Sequence, residues 1–239
     1  MPRVARYLPA SGHDAGDARA RIRPIMRALD REYRETETAL HFRNPFELLI
    51  SVIMSAQTTD DTVNRVTPAL FERYPTPADL AAADPGEVEA LIKPTGFFRQ
   101  KTRAIIGCAR KLVEDHGGEV PRTMEELTAL PGAARKTANV VMANLWPGTG
   151  HGIFVDTHVR RTSQRLALTP SDDPVKIERD LMDLIPARRW HDIPHKLILL
   201  GRGPCDARSP DHEGCPLLRW CPTGQAVVGP AIRRPRRQS

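Results

Sequence analysis

Apolar residues recur at helical spacing from Ala20 onward, and Pro and Gly interrupt this pattern at short intervals. Alternating apolar and polar residues, which would indicate strands, are rare in the chain. Because helical spacing dominates, the sequence predicts an all-α fold built from short helices. The predicted helices span residues 20–33, 45–55, 60–74, 77–82, 85–93, 100–116, 124–130, 135–145, 158–166, 175–184 and 193–201.

Three of the predicted helices start after a residue that is able to cap them. Asn44 and Thr76 each precede a proline, which fits the first position of a helix. Thr123 precedes a first turn with Glu125 and Glu126, whose negative charges suit the positive end of the helix dipole. These residues support helices that begin directly after them.

The 239 residues, of which 40% are hydrophobic, are sufficient for one large or two small globular domains. The longest apolar run, residues 46–54, is interrupted by Glu47 and Ser51 and is too short to cross a bilayer. Residues 1–10 lack the apolar core of a secretion signal. We therefore expect a cytoplasmic protein.

The formal net charge of +6 favours an anionic partner, although many proteins with a moderate basic excess bind no nucleic acid. Residues 1–18 show no apolar periodicity and are predicted to form a flexible arm. Residues 224–239 contain four arginines around Pro235 and are predicted to form a solvated basic tail. Charge alone therefore does not identify the partner, and a motif is needed.

Two predicted helices, 124–130 and 135–145, are separated only by Pro131-Gly-Ala-Ala134. Proline ends the first helix, Gly132 is able to adopt a positive φ, and the N–H groups that follow open the second helix. Such N–H groups bind backbone phosphate, so the pattern predicts a helix-hairpin-helix that contacts nucleic acid. Two helices joined by Pro-Gly are also common as a purely structural unit.

The hairpin sequence Leu130-Pro-Gly-Ala-Ala-Arg-Lys-Thr-Ala-Asn-Val-Val141 is followed by Phe154-Val-Asp-Thr-His-Val159, and together they resemble endonuclease III. The resemblance covers residues 22–221 and implies a base-excision-repair enzyme that removes damaged bases, oxidised pyrimidines in particular, from duplex DNA. Further similar segments, in the family's order, are Asn44-Pro-Phe-Glu-Leu-Leu-Ile50, Ser55-Ala-Gln-Thr-Thr-Asp60 and Thr95-Gly-Phe-Phe98 followed by Lys101.

The resemblance also implies two helical domains with a DNA-binding cleft between them. The central domain would comprise residues 38–150 and contain the hairpin. The second domain would combine residues 19–37 with residues 151–223 and carry an iron-sulfur cluster loop. The chain would act as a monomer on double-stranded DNA that contains damaged bases or abasic sites.

The resemblance assigns catalysis to Lys136 and Asp156. The lysine amine would attack C1′ of the sugar and form a Schiff base, and β-elimination would then cut the strand, as in a DNA glycosylase with AP lyase activity. The aspartate would stabilise positive charge on the sugar and help to activate the amine. Without the resemblance, Lys136 would be interpreted as a surface or phosphate-contacting lysine and Asp156 as a helix N-cap.

Two further residues are expected, by resemblance, to enter the DNA duplex. Gln57 would fill the space left by the extruded base, and Phe97 would act as a wedge. An ordinary core aromatic is the structural alternative for Phe97, but Gly96 and Arg99 beside it favour an exposed loop. The complete set of residues expected to contact DNA is Gln57, Phe97, Gly132, Ala134, Arg135 and His158.

Cys205, Cys215 and Cys221 lie near one another in a Pro-rich, charged stretch that is unable to pack alone. In the resembled family four cysteines, separated by six, two and five residues, hold a [4Fe-4S] cluster, and here His212 occupies the second position. The expected ligands are therefore Cys205, His212, Cys215 and Cys221. A zinc site with the same ligands and a lost or labile cluster are the alternatives. Cys108, in contrast, is expected to be a buried apolar side chain.

Besides His212, two further positions differ from the resembled family: Ala134 stands where a second hairpin glycine is usual, and Leu200 where a histidine is common. The alanine would either strain the backbone or hold it further from phosphate. Ala134 and His212 leave open a DNA-damage-binding protein with weak catalysis. An adenine mismatch glycosylase of the same superfamily is the other alternative, but that group lacks a lysine at the position of Lys136.

Overall fold

The computed structural model describes residues 15–34, 38–147 and 152–229. Within these residues it contains twelve α-helices, three short 3-10 turns and no strand, which confirms the all-α prediction. They divide into two compact units, one made of residues 38–147 and the other of residues 15–34 with 152–229. The predicted domain boundary at residues 150 and 151 lies outside the described residues. None of the described helices has the length and apolar character needed to cross a membrane.

The unit of residues 38–147 is built around one helix that is apolar on almost every side. Its helices are α2 (Pro45–Met54), α3 (Asp60–Arg73), α4 (Pro77–Ala81), α5 (Pro85–Ile92), α6 (Phe98–His116), α7 (Met124–Ala129) and α8 (Arg135–Leu145). Every residue of α2 after Pro45 is buried, so this helix needs neighbours on all faces, and α3, α6 and α8 supply them. Cys108 on α6 is fully buried, as predicted, and burial raises the pKa of its thiol to about 12.

The helix starts predicted in this unit are confirmed. Asn44 Oδ1 accepts a hydrogen bond of 2.9 Å from Glu47 N in the first turn of α2. Thr76 and Asp79 form a reciprocal capping box at α4, and the Thr123 hydroxyl accepts from Glu126 N at α7. Each cap satisfies an N–H group that the helix itself leaves without an acceptor.

The second unit packs the first helix of the chain against the C-terminal helices. Its helices are α1 (Ala15–Glu32), α9 (Thr157–Arg165), α10 (Pro174–Leu184), α11 (Ile193–Arg202) and α12 (Pro222–Val228). The apolar face of α1, with Ile25 and Leu29 almost fully buried, packs against α10 and α11. Leu200 of α11 belongs to the same core, so the residue that replaces the family's usual histidine serves packing here.

The prediction of a flexible arm over residues 1–18 is wrong at its end. Helix α1 begins at Ala15, and Ala18 is fully buried in the core of the second unit. Small alanines and glycines in this stretch hid the apolar face, because they give little periodic signal. Residues 1–14 lie outside the described residues.

The prediction of a solvated tail over residues 224–239 is also wrong at its start, because α12 extends to Val228. Pro222 occupies the first position of this helix, and Cys221 Sγ accepts a hydrogen bond of 3.3 Å from Gly224 N. A cysteine is not a usual capping residue, so the sequence contained no recognisable helix start. Residues 230–239 lie outside the described residues.

The hairpin joins α7 to α8 through a glycine with a positive φ, as predicted. Gly132 has a φ of 79°, in the left-handed region. A Cβ at this position would lie 2.8 Å from Ile53 Cγ2 and 3.0 Å from Ala104 Cβ. The hairpin is therefore held against α2 and α6 by a close approach that only glycine permits.

We expect Gly132→Ala to destabilise the protein by more than its backbone conformation explains. Gly117 has a comparable φ of 59°, but a Cβ there would have no neighbouring atom within 4 Å, so Gly117→Ala isolates the conformational cost, about 1–2 kcal/mol. Gly132→Ala adds overpacking, typically about 1–3 kcal/mol. Denaturant unfolding of both variants measures the difference, and equal losses would contradict the close approach.

Candidate functional site

Lys136 is the second residue of α8, directly behind the hairpin, and its side chain is exposed. The N-cap residue Ala134 makes no side-chain hydrogen bond to the first turn. Its φ of −63° and ψ of 168° are values that any residue adopts, so the predicted strain at this alanine is wrong. The hairpin thus presents a helix start without a side-chain cap, of the kind that binds anions, with an amine in its first turn.

The two residues expected to enter the duplex both have left-handed backbones. Gln57 has a φ of 55° and Phe97 a φ of 46°, and Ala167 is the third such non-glycine residue in the described part of the chain. The Phe97 side chain is 64% exposed, which confirms the predicted exposed loop and excludes the core alternative. Non-glycine residues adopt positive φ only where surrounding contacts hold them, and they concentrate at functional sites.

Asp156 caps the N-terminus of α9, which is the role that its position in the sequence indicates without the resemblance. Its Oδ1 accepts hydrogen bonds of 2.8 Å from both His158 N and Val159 N. Because one carboxylate oxygen serves both bonds, the cap does not use Oδ2. The same side chain is thus able to start a helix and to face a positive charge.

His158 is half-buried and is oriented by an arginine one turn along α9. Its Nδ1 lies 3.1 Å from Arg161 Nη2, and because a guanidinium only donates, Nδ1 accepts and Nε2 carries the proton. Arg161 also donates to Gly201 O at 2.7 Å and to Cys205 O at 3.2 Å. Arg161 was not predicted from the sequence, since its acceptors are carbonyl oxygens distant in sequence.

Arg165, the last residue of α9, binds the segment that contains the first expected metal ligand. Its Nη1 donates to Cys205 O at 3.1 Å and to Asp206 O at 2.6 Å, and lies 3.4 Å from Cys205 Sγ. Its Nη2 donates to Ala207 O at 3.2 Å. Helix α9 therefore begins at the expected catalytic carboxylate and ends at an arginine that fixes the cysteine loop.

The four expected metal ligands lie in one region of the second unit. Cys205, Cys215 and Cys221 are near enough to influence one another's pKa. His212 lies beside Cys221, because a Cβ on Gly224 would be 3.4 Å from His212 Nδ1 and 3.6 Å from Cys221 Cβ. Burial raises the pKa of the Cys215 thiol to about 11, so its thiolate form needs a cation nearby, as iron would supply.

The side chains of Cys205, His212, Cys215 and Cys221 are sulfur and nitrogen donors of the kinds that iron-sulfur clusters and zinc ions take. Among the described residues, no three His, Cys, Asp or Glu side chains converge closely enough to hold one metal ion. A zinc site draws all its donors to about 2.0–2.3 Å from one ion, whereas a [4Fe-4S] cluster distributes its ligands over four iron atoms. The hydrogen bond from Gly224 N to Cys221 Sγ is of the type that tunes cluster sulfurs.

His195 is a half-buried histidine near Asp156 that was not predicted from the sequence. Its ring packs edge-on against Phe154, with 4.9 Å between ring centroids. Burial lowers its pKa from the usual 6.5 to about 4, and the carboxylates of Asp192 and Asp156 oppose this effect only in part. The imidazole is therefore neutral at physiological pH.

Comparisons with known proteins agree with this arrangement. Residues 50–187 match the profile described as "HhH-GPD superfamily base excision DNA repair protein". Endonuclease III of Synechocystis sp. is 50% identical over 206 residues, which cover 86% of this chain and 94% of that relative. Endonuclease III of Bacillus subtilis is 43% identical, with 81% of this chain and 88% of that relative covered. The chain belongs to the endonuclease III family.

Solved structures of the endonuclease III family match as well. A trapped covalent intermediate of an endonuclease III with DNA has a TM-score of 0.82 at 40% identity, covering 88% of this chain and 99% of the other. A non-covalent endonuclease III–DNA complex has a TM-score of 0.81 at 41% identity, with coverages of 88% and 98%. The helix-hairpin-helix fold and the resemblance recognised in the sequence are confirmed.

His195 is expected to make the stability of the protein fall in acid. Below pH 6.5 the unfolded chain protonates this histidine, whereas the folded protein keeps it neutral down to about pH 4 because of burial and the positive charges of His191 and Arg202. The free energy of unfolding should therefore drop by up to about 3 kcal/mol across this window. His195→Phe, which keeps the ring, should reduce that drop in denaturant unfolding measured from pH 7 to pH 4.

His41→Gln is the matched control for His195→Phe, because His41 is an exposed histidine of the other unit. It should leave the pH profile of unfolding unchanged. A profile for His195→Phe that is as steep as that of the unsubstituted protein would assign the acid sensitivity to other groups.

Proposed function

We propose that this endonuclease III family member, a DNA glycosylase and AP lyase of base excision repair, uses Lys136 as its nucleophile and Asp156 as the assisting carboxylate. The observation that carries the proposal is the exposed Lys136 amine in the first turn of α8, behind a hairpin fixed by Gly132. A relative of 40% identity was solved as a trapped covalent intermediate with DNA, which supports covalent catalysis.

The reaction begins when a damaged base leaves the helical stack. The amine of Lys136 attacks C1′, and the glycosidic bond breaks with its electron pair going to the base, which is protonated as it leaves. Opening of the sugar ring breaks the C1′–O4′ bond and produces a Schiff base between C1′ and Nζ. Loss of a proton from C2′ then expels the 3′ phosphate, and water releases the lysine.

Asp156 stabilises the positive charge that develops on the sugar as the base leaves. Its Oδ1 is committed to the N-terminus of α9, where it accepts hydrogen bonds from two N–H groups. The second oxygen, Oδ2, is then the group that faces the sugar and helps to remove a proton from the attacking amine. The helix cap therefore orients the catalytic carboxylate.

Double-stranded DNA is held, in this proposal, by phosphate contacts at the hairpin and by side chains that replace the extruded base. The hairpin residues Gly132, Ala134 and Arg135 contact the backbone. Gln57 and Phe97 enter the space that the base leaves, and their contacts offset part of the lost stacking. Oxidised pyrimidines are the proposed lesions, as for the resembled family.

Cys205, His212, Cys215 and Cys221 would hold a [4Fe-4S] cluster. When bound, the cluster supplies the bonds that order a loop with little apolar surface of its own. The chain itself contributes Arg165, which binds the main chain of this loop at Cys205 and fixes its entry. We propose that the residues of the second unit, 15–34 with 152–229, form the domain that this cluster completes.

We further propose that the protein acts in the cytoplasm. The endonuclease III relatives of 50% and 43% identity come from the bacteria Synechocystis sp. and Bacillus subtilis. In a bacterium the chromosome lies in the cytoplasm, and a DNA-repair enzyme works there.

Lys136→Gln should abolish the covalent complex that borohydride traps on an abasic duplex, because an amide forms no Schiff base. Affinity for the duplex should change only a few-fold, since one charge among several phosphate contacts is a small electrostatic loss. The exposed Lys176 provides the matched control, and Lys176→Gln should trap normally. Persistent trapping by Lys136→Gln would remove Lys136 from the proposed role.

Asp156→Asn separates the helix-capping role of Asp156 from its proposed catalytic role. The amide oxygen of asparagine still accepts both N–H bonds, so the thermal midpoint should hardly change. Base release should fall at least about a hundredfold, because the charge is lost. Unchanged base release would leave helix capping as the only role of Asp156, as expected for a DNA-damage-binding protein with weak catalysis.

The cluster assignment predicts that purified protein contains iron and sulfide in equal amounts, about four of each per chain. His212→Ala should lower the iron content and change the visible absorption spectrum, whereas His212→Cys should retain full iron. His116→Ala is the matched control, because His116 lies in the other unit. Full iron and an unchanged spectrum in His212→Ala would show that this histidine is not a ligand.

A further inference from the structure

Lys101, in the first turn of α6, is a lysine that the proposed mechanism does not use, and it is almost completely buried. Its side chain is 5% exposed. The ammonium donates to Thr58 Oγ1 and, at 2.8 Å, to Thr95 O. The two acceptors belong to different segments: Thr58 precedes α3, and Thr95 ends the 3-10 turn Lys93–Thr95 that precedes α6.

The two acceptors are also bonded to each other. Thr58 Oγ1 donates to Thr95 O at 2.5 Å, so ammonium, hydroxyl and carbonyl form a closed triangle. Both acceptors are uncharged groups, and burial lowers the pKa of Lys101. An ammonium suits this place because its three N–H groups point in different directions and are able to join separate segments.

Each of the joined segments carries one exposed residue with a left-handed backbone. Gln57, with a φ of 55°, directly precedes Thr58, and Phe97, with a φ of 46°, follows Thr95 by two residues. Lys101 also donates its backbone N–H to Phe97 O at 3.0 Å, so it holds the Phe97 turn by its main chain and its side chain. Backbones of this kind persist only where neighbouring contacts fix them.

We propose that Lys101 is a positioning residue that fastens the Gln57 and Phe97 loops into one rigid unit, so that both side chains enter the duplex together. The inference rests on the proposed function, because it takes Gln57 and Phe97 as the residues that replace the extruded base. Lys101 does not touch the reacting atoms in this scheme. Its contribution is confined to opening the duplex, and the chemistry at Lys136 follows unchanged.

Because Lys101 acts in this scheme only on the opening of the duplex, the effect of substituting it should depend on whether the DNA around the site is paired. In a fully paired duplex, the protein has to open the stack around an abasic site before Lys136 reaches C1′. In the same strand with the site inside an unpaired bubble, the stack is already open. A variant that disturbs only the two loops should therefore be slow on the paired duplex and normal on the bubble.

The experiment compares Lys101→Met with the unsubstituted protein, using the rate of borohydride trapping under single-turnover conditions. Methionine fills a similar volume, and the bond from Thr58 Oγ1 to Thr95 O remains available. Lys101→Met should be slower at least about tenfold on the paired duplex and within about twofold on the bubble. The fluorescence of 2-aminopurine placed opposite the site, which rises when that base loses its stacking, should rise less with this variant.

Two further variants test whether the effect is specific to the hydrogen bonds of Lys101. Lys93→Met removes the same charge from an exposed lysine of the adjoining 3-10 turn, and it should leave the ratio of the two rates unchanged. Thr58→Val removes one corner of the triangle and keeps the lysine, so it should give a smaller loss in the same direction. If Lys101→Met does not fold, the two substrates are compared with Thr58→Val instead.

The inference would be overturned if Lys101→Met traps the paired duplex as fast as the unsubstituted protein does. It would also be overturned if the variant loses the same factor in rate on the paired duplex and on the bubble. Phe97→Ala combined with Lys101→Met should be no slower than the slower single variant, because both act at one step; additive losses would also overturn it. Failure of the proposed function gives a different result, since Lys136→Gln would then still trap on either substrate.

Discussion

The first N–H groups of every α-helix have no acceptor within the helix, and several residues of the proposed sites lie at such helix starts. At α9 and α12 the acceptors are side chains of residues proposed to act in catalysis and in cluster binding, Asp156 Oδ1 and Cys221 Sγ. At α6 and α8 the capping positions are Phe97 and Ala134, which make no side-chain hydrogen bond. An anion such as a DNA phosphate is able to complete a helix start of this second kind, and a DNA-binding member of the endonuclease III family meets that anion.

Main-chain hydrogen bonds explain how one expected ligand in the proposed cluster loop is able to differ from the resembled family. Arg161 and Arg165 bind the loop through carbonyl oxygens, at Cys205 and neighbouring residues. Main-chain acceptors are present whatever the side chains are, so the loop keeps its anchorage when a side chain changes. An imidazole at position 212 in place of a thiolate would therefore be a local change in the donor chemistry of the proposed cluster loop.

The parts of the site that the sequence predicted depend on neighbours in the chain, whereas the parts it did not predict depend on distant segments. Gly132 in the hairpin and the Asp156 cap each follow from a few consecutive residues, and the resemblance to a family added the role of Lys136. Arg165 has no motif around it, and one of its acceptors lies forty-one residues later. His195 is neutral because packing buries it, and no local pattern reports the burial of a single histidine. In both cases a tertiary contact overrides what the local sequence suggests.

The strain of the Gln57 and Phe97 turns and the hydrogen bonds of the buried Lys101 have free energies of comparable magnitude. A left-handed backbone at a non-glycine residue costs about 1–2 kcal/mol, and Gln57 and Phe97 both adopt it. A hydrogen bond from a charged donor contributes about 1.5–3 kcal/mol, and Lys101 makes two through its ammonium. The free energy of these hydrogen bonds is sufficient to hold both turns, although the desolvation of the buried ammonium offsets part of it. An apolar side chain would avoid that desolvation, but it would leave the two turns free to relax toward ordinary φ values.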